Sequence, residues 1–536
     1  MSSPHARRPF SAPGTAATST SSAPRLATGE ATHRLVLWLI FGFGIAHLVY
    51  ASMVGLAGDE AYYWQWSRWP AWGYYDHPPM VAALIAIGTG IAGDNEFGLR
   101  VMTVVLATAV LWLVYRMAVQ YSSRVLPADG STPAPESAGL WTVLVLVASP
   151  LFGGGNFIAT PDMPMVFFWA LSIQFAFSAG ADPRPQRWVL LGLALGLGVL
   201  SKYSMAILPL ALIIAFAATR RGRELLRTPG PYLAAAVGVL VLVPHLVWLA
   251  HHDFVSVSFQ LGHGLGNSSR STAEHLASLG NFVAGQVAVL TPGLFLLFAF
   301  SLWRGAGLLR RRVPEVVDDT NLTVWVMVMP AVLTFLVFGL ASLVTKSQAN
   351  WPSAGYVTLS IVLGTILARC VTTQRANKII ILGAVGLAAL LTLYAHVEIA
   401  HPLVPYGRSA FDKLRDRSDV ARWLQGLRTT YAPGDAAVYA DNYRLASLLA
   451  FYLPDHPATD APFEAGSGAQ YTLWRQTQPV ARDAWYVTTS SDDGSARRLF
   501  SDYRLIGTHV ETRAGRLSDT VRAYYGRLRS HPVDNL

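Results

Sequence analysis

The feature that most constrains this chain is a succession of apolar runs about as long as a bilayer is thick. Hydrocarbon of ~30 Å takes roughly 20 helical residues at about 1.5 Å each. Leu35–Ala57, Leu99–Gln120, Trp141–Phe157, Pro231–Ala250, Phe282–Leu302, Val324–Val344, Pro352–Leu367 and Ile379–His396 approach or exceed that length. Composition agrees: 52% of the 536 residues are apolar and only 14% charged, against about 25% charged in an ordinary soluble domain. The expected fold class is a polytopic α-helical membrane protein.

Lys and Arg in short loops orient such a chain, because basic loops stay in the cytoplasm. Arg7, Arg8, Arg25 and Arg34 place the N-terminus there, and residues 1–33, rich in Ser, Thr, Ala, Pro and Arg without periodicity, read as a disordered, retained tail. The first apolar run is too long for a secretory signal and lacks a small-residue cleavage site. Arg116 and Arg124, Arg184 and Arg187, "RRGRELLR" at 220–227, Arg304 with "RRR" at 310–312, and Arg369, Arg375 and Lys378 mark the other cytoplasmic loops. The net charge of +9 is thereby explained by membrane orientation and implies no nucleic-acid partner.

Parity resolves residues 188–218, one apolar run between two basic loops. The chain must go out and return, turning at "LSKYS" near Lys202, with legs that are short unless protein surrounds them. Eleven spans result, filling residues 34–396, with the C-terminus outside. Residues 397–536 are more charged and alternate short strand-like runs with turns such as "APGD" and "SSDDGS", the pattern of a small soluble α/β domain. The single cysteine, Cys370, forms no internal disulfide, so this domain is expected to stand on its own core.

Topology then places every chemical-looking feature on the outer face. Asp59 and Glu60 follow the first span directly, in "GDEAYYWQWSRWPAWGYYDHPPM" at 58–80, whose Trp and Tyr, Tyr62 and Tyr75 among them, exceed what an interfacial belt needs. The segment "HPPMVAALIAIGTGIAG" is too short to span and is expected to lie along the interface. Asp162 sits between two prolines in "TPDMP"; alone it suits a helix N-cap, and with Asp59 it suits proton transfer or positioning. Lys202 and Lys346 are lone cations beside apolar runs, which snorkel, pair or line a wet cavity, where they and Arg270 could clamp a phosphate. Asp76, His77 and His263 belong to a His and Asp group on this face that could hold a divalent ion, although no His-x-x-x-His pair or Cys-x-x-Cys accompanies them.

The order of these motifs resembles the C-type glycosyltransferase fold: an acidic pair after the first span, a long outer loop closing on "YYDHPP", an Asp in the second outer loop and a Lys near "NWP". It is similar, more narrowly, to the superfamily of protein O-mannosyltransferases, lipid A aminoarabinose transferases and rhizobial lipopolysaccharide galacturonosyltransferases. "VYADNYRLASLLAFYLPDHP" and "QYTLW" look like the C-terminal domain of the bacterial branch. The resemblance implies transfer of one sugar from a polyprenyl-phosphate donor to lipid A or lipopolysaccharide, with a protein hydroxyl as the alternative acceptor, at the outer face of the bacterial inner membrane. It implies Asp59, with Glu60 beside it, as the catalytic carboxylate and Asp162 as the second acid. Lys346 matches a basic residue near the donor phosphate, and Asp76 with His263 matches a metal-sharing pair. His77 stands where the aminoarabinose branch has a Lys that contacts phosphate.

Two other classes compete. A transporter would carry charges and broken helices near mid-membrane and often internal repeats; here the charges gather at one interface. A non-enzymatic envelope protein would be indifferent to Asp59→Asn, whereas the enzyme would lose transfer.

Overall fold

The computed structural model describes residues 22–126, 132–265, 271–309, 318–345, 347–373, 375–404, 417–431, 436–463, 470–475, 482–513 and 516–529. Helix α1 spans Ser22–Met53. It starts inside the segment expected to be a disordered tail: a Thr32 hydroxyl bond to the Thr28 carbonyl and a Glu30–Arg34 pair one turn apart carry the helix back beyond the apolar run. The first outer loop holds α2 (Gly58–Arg68) and α3 (Met80–Ala92), and α4 (Glu96–Val125) returns across the bundle. Helix α3 buries Val81, Ala82, Ile85 and Gly88 on one side and leaves Ile87 and Ile91 exposed.

The bundle continues with α5 (Pro135–Ala148), a π-helical turn at Pro150–Gly154, α6 (Asp162–Ala181), α7 (Pro185–Val199), α8 (Ile207–Ala218), α9 (Arg220–Leu226), α10 (Pro229–His251), α11 (Val255–Leu265), α12 (Thr272–Leu290), α13 (Pro292–Leu309), α14 (Asp318–Val344), α15 (Ser353–Thr373) and α16 (Arg375–Ala400). Among the described residues eight helices are long and apolar enough to cross a membrane: α1, α4, α6, α10 and α13 to α16. The count of eleven expected from sequence is reached only by adding three short legs: α5 with 14 residues, α7 with 15 and α8 with 12. The turn between α7 and α8 falls at Leu200–Lys202, as parity required. The expected span Phe282–Leu302 is two helices instead. Thr291, with φ of 76°, breaks it, and Pro292 starts the next helix.

Helix α15 is the centre of this part. Its Val357, Leu359, Ile361 and Leu363 are fully buried, and its Thr365 hydroxyl bonds back to the Ile361 carbonyl, so polar groups cross the bundle satisfied. A side chain on Gly364 would meet the Thr142 hydroxyl at 2.1 Å and the Ala138 carbonyl at 2.5 Å. The glycine thus lets α5 lie directly on α15.

After α16 the described chain resumes with α17 (Ser418–Tyr431), β1 (Ala437–Ala440), α18 (Tyr443–Tyr452), β2 (Thr459–Asp460), α19 (Gln470–Arg475), β3 (Asp483–Thr488), α20 (Gly494–Leu499), β4 (Phe500–Arg513) and β5 (Arg516–Leu528). The sheet order is β2-β1-β3-β5-β4, with β1 parallel to β2 and β3, and the β4–β5 hairpin antiparallel to them. Ala484, Tyr486, Leu499, Phe500, Tyr524 and Leu528 form one apolar cluster of the domain's own, and a second cluster is shared with the outer loop. Tyr62, Trp64, Trp66 and Leu56 are buried together with Val438, Leu445, Leu448, Leu449, Phe451 and Trp485 in one continuous cluster. The aromatic residues of the outer loop are the floor on which α18 and the sheet rest.

Candidate functional site

Helix α2 mounts the acidic pair rigidly. Glu60 is fully buried and bonds Arg100 through both oxygens, Nε to Oε1 at 2.8 Å and Nη2 to Oε2 at 2.6 Å. The same carboxylate accepts the Ala57 amide at 3.0 Å and the Ala159 amide at 2.9 Å. Arg100, also buried, spends its other donors on the carbonyls of Ala51, Val54 and Gly55, the last turn of α1 and the link to α2. A charge pair so far from water is tolerable only with its remaining donors and acceptors satisfied, as they are here. Glu60 therefore joins the first span, α2, α4 and the second outer loop in one knot.

Asp59 faces the other way and is 40% exposed. Its Oδ1 accepts the Tyr443 hydroxyl at 2.7 Å and the Arg444 Nε at 2.9 Å. Asp162 opens α6, where the helix N-terminus favours an anion. Its Oδ1 takes the Lys202 ammonium at 2.7 Å and its Oδ2 the Asn350 amide at 3.2 Å. Lys202 is thus paired, neither snorkelling nor free.

Tyr443, which donates to Asp59, packs on Tyr62 at 4.8 Å, and Tyr62 lies 6.0 Å from Tyr63. Burial, and then the charges of Asp59, Asp76, Tyr443 and Asp162 in that order, push the Tyr63 phenol well above the ordinary range. Burial and the neighbouring Asp76 do the same to Tyr62. The His77 ring lies 6.3 Å from the Tyr63 ring. Burial, with the Lys202 charge second, brings His77 down to about 3. The imidazole is neutral across the physiological range. At the position where the aminoarabinose branch has a Lys, the chain presents an uncharged ring whose buried Nδ1 has no partner among the described residues.

Tyr75 sits at a junction. Its ring packs on Phe259 at 5.2 Å, and its amide donates to Gln470 at 2.8 Å. Asp76 is buried, and the Gln260 amide holds its backbone carbonyl at 2.7 Å. That bond docks α11, the helix that carries His263, on the outer loop. The His263 side chain, Arg270 and Lys346 lie outside the described residues. Among the described residues no three His, Cys, Asp or Glu side chains come together as a metal site.

Arg100, Asn350, Tyr443 and Arg444 escaped the sequence reading. Arg100 carried a signal, being a single cation at the outer edge of the apolar run 99–120, where burial demands a partner. Tyr443 and Arg444 carried none, because nothing local ties residue 443 to residue 59.

Comparison with known proteins relates the chain to glycosyltransferases in sequence and to one of them in fold. The family described as dolichyl-phosphate-mannose-protein mannosyltransferase matches residues 76–248. The lipid A galacturonosyltransferase RgtD of Rhizobium johnstonii is 26% identical over 432 residues, 78% of this chain and 82% of that protein. The undecaprenyl phosphate-alpha-4-amino-4-deoxy-L-arabinose arabinosyl transferase of Pseudomonas paraeruginosa is 31% identical over 226 residues, 38% of this chain and 39% of its own length. The fold is that of ArnT from Cupriavidus metallidurans, with a TM-score of 0.61 at 16% identity over 92% of this chain and 98% of that one. The same protein bound to undecaprenyl phosphate gives 0.60 at 15% identity, over 91% of this chain and 97% of that one.

Proposed function

We propose, from the premise that this chain is a member of the C-type glycosyltransferase superfamily, that it moves one sugar from a polyprenyl-phosphate donor to lipid A or lipopolysaccharide at the outer face of the bacterial inner membrane. The observation that carries this reading is a row of side chains at one end of the bundle, from Asp59 through Tyr443, Tyr62 and Tyr63 to His77, together with the Asp162–Lys202 pair. A polyprenyl phosphate presents its headgroup at that depth, below water and above the acyl chains.

Asp59 removes the proton from an acceptor hydroxyl as that oxygen attacks the anomeric carbon. The bond from the anomeric carbon to the phosphate oxygen breaks, and polyprenyl phosphate leaves with the electron pair. The leaving phosphate gains charge that Lys202 stabilises on the far side of the site, while the His77 Nδ1 bonds a phosphate or sugar group without adding charge. Tyr63 and Tyr75 wall the sugar, whereas Tyr62, expected there from sequence, is buried beneath α18 and supports them.

Purified protein in lipid nanodiscs, given a panel of polyprenyl-phosphate sugars with lipid A or lipopolysaccharide, should add the mass of one sugar to the acceptor. Addition to a peptide hydroxyl in its place would move the assignment to the protein-acceptor branch, which the matched family's description names. Consumption of no donor overturns the reading.

A further inference from the structure

We propose that the C-terminal domain completes the site: Tyr443 and Arg444, the first two residues of α18, are positioning residues that hold the Asp59 carboxylate. The inference rests on the reading above, in which Asp59 takes the acceptor proton. Both bonds end on the same oxygen, Oδ1, the hydroxyl at 2.7 Å and the guanidinium nitrogen at 2.9 Å. Two donors on one oxygen select a single rotamer and thereby fix the other oxygen, Oδ2, in one place. A carboxylate that must meet a proton in the transition state gains from such fixing, because reactive geometry is narrow.

The mount behind these two residues is rigid. The Asn442 side chain caps α18 by accepting the Leu445 amide at 3.0 Å, and its own amide donates to Asp441 at 2.5 Å. The other Asp441 oxygen accepts the Thr488 hydroxyl at 3.0 Å, the Thr489 amide at 2.8 Å and the Thr489 hydroxyl at 2.9 Å. Tyr443 and Arg444 thus follow directly in the chain on Asn442 and Asp441, whose hydrogen bonds fix the start of α18 to the carboxyl ends of the parallel strands β1 and β3. In open α/β sheets that edge is where binding groups gather, and here it points at the membrane domain's carboxylate.

Gly58 supplies an independent observation. A side chain there would come within 2.4 Å of the Arg444 Cβ and 3.1 Å of its Cα. The residue next to Asp59 thus has no side chain because α18 occupies its place. Stability does not explain the contact. Arg444 and Asp59 are 44% and 40% exposed, and a pair so open to water holds domains together weakly; the shared aromatic core does that. The contact's remaining consequence is the orientation of Asp59.

Full-length Arg444→Ala and Tyr443→Phe, in nanodiscs with saturating lipid-linked donor, test this. Each should lower kcat on the order of 10- to 100-fold, leave the donor KM within about twofold and leave the unfolding temperature of the protein unchanged. The double variant should lose little more than the worse single one, since both act through one carboxylate. Arg444→Lys, which retains a donor, should recover part of the rate. Full activity in Arg444→Ala overturns the inference, as does a rate loss matched by a fall in unfolding temperature. A wild-type protein that transfers no sugar overturns the glycosyltransferase reading and this inference together, whereas an active wild type with an equally active Arg444→Ala overturns this one alone.

Discussion

Asp59 and Glu60 are neighbours in sequence and opposites in environment. The first keeps contact with solvent, while the second is sealed against Arg100 with every bond used. Their substitutions should therefore fail differently. Arg100→Met leaves Glu60 buried without its partner and should destabilise the protein by about 3–5 kcal/mol, lowering the unfolding temperature in detergent; Glu60→Met combined with Arg100→Met should recover part of it. An Arg100→Met protein as stable as wild type would contradict the knot described for Glu60. His77 gives a pH signature. The folded protein holds its pKa near 3, against 6.5 in an unfolded chain, so the unfolded state binds the proton first. The contribution of the neutral ring is complete above about pH 7 and is lost as pH falls from 6.5 toward 3. Thermal unfolding between pH 7 and pH 5 should thus fall more steeply for wild type than for His77→Gln, and parallel slopes would refute the assignment. The sequence located Asp59, Asp162, Asp76 and Lys202 at this face through charge parity alone. It did not disclose that Asp162 pairs with Lys202, because residues 40 positions apart meet only through the packing of α6 against the α7–α8 turn.

At the scale of elements, length and hydropathy predicted where helices run better than where they stop. Runs such as Glu96–Val125 and Arg375–Ala400 stand as single helices, since in a membrane a helix satisfies every backbone bond internally. The breaks depend on single residues. Pro292 ends what the apolar pattern reads as one span, and α5 can be short because protein surrounds it: α4 and α15 pack on it. That packing is testable at Gly364. In Gly364→Val the new side chain would overlap the Thr142 hydroxyl and the Ala138 carbonyl, both on α5, and overpacking of this kind costs about 1–3 kcal/mol. A lowered unfolding temperature is expected, and an unchanged one would mean that α5 does not rest on α15 at that position.

The whole molecule differs from its sequence reading chiefly in how its two parts join. The composition change after residue 396 separates a membrane part from a soluble part, and it says nothing of the cluster they share. The Trp and Tyr of residues 58–80 read as an interfacial belt or a substrate wall. Tyr62, Trp64, Trp66 and Tyr74 are also part of an apolar cluster shared with the C-terminal domain, and Gln65 bonds Thr459 and Tyr471. Residues 397–536 expressed alone should consequently expose the apolar face of α18 and associate or fail to unfold cooperatively; a stable monomer with a sharp transition would show that the domain needs no floor. The same junction makes Asp59 the point at which the membrane part, the soluble part and the proposed chemistry meet. The most direct measurement is single-turnover transfer from a polyprenyl-phosphate sugar to lipid A by wild type and Asp59→Asn, with donor binding measured on the same samples. Donor bound by both proteins and sugar transferred only by wild type is the predicted result, and comparable transfer by Asp59→Asn would contradict it.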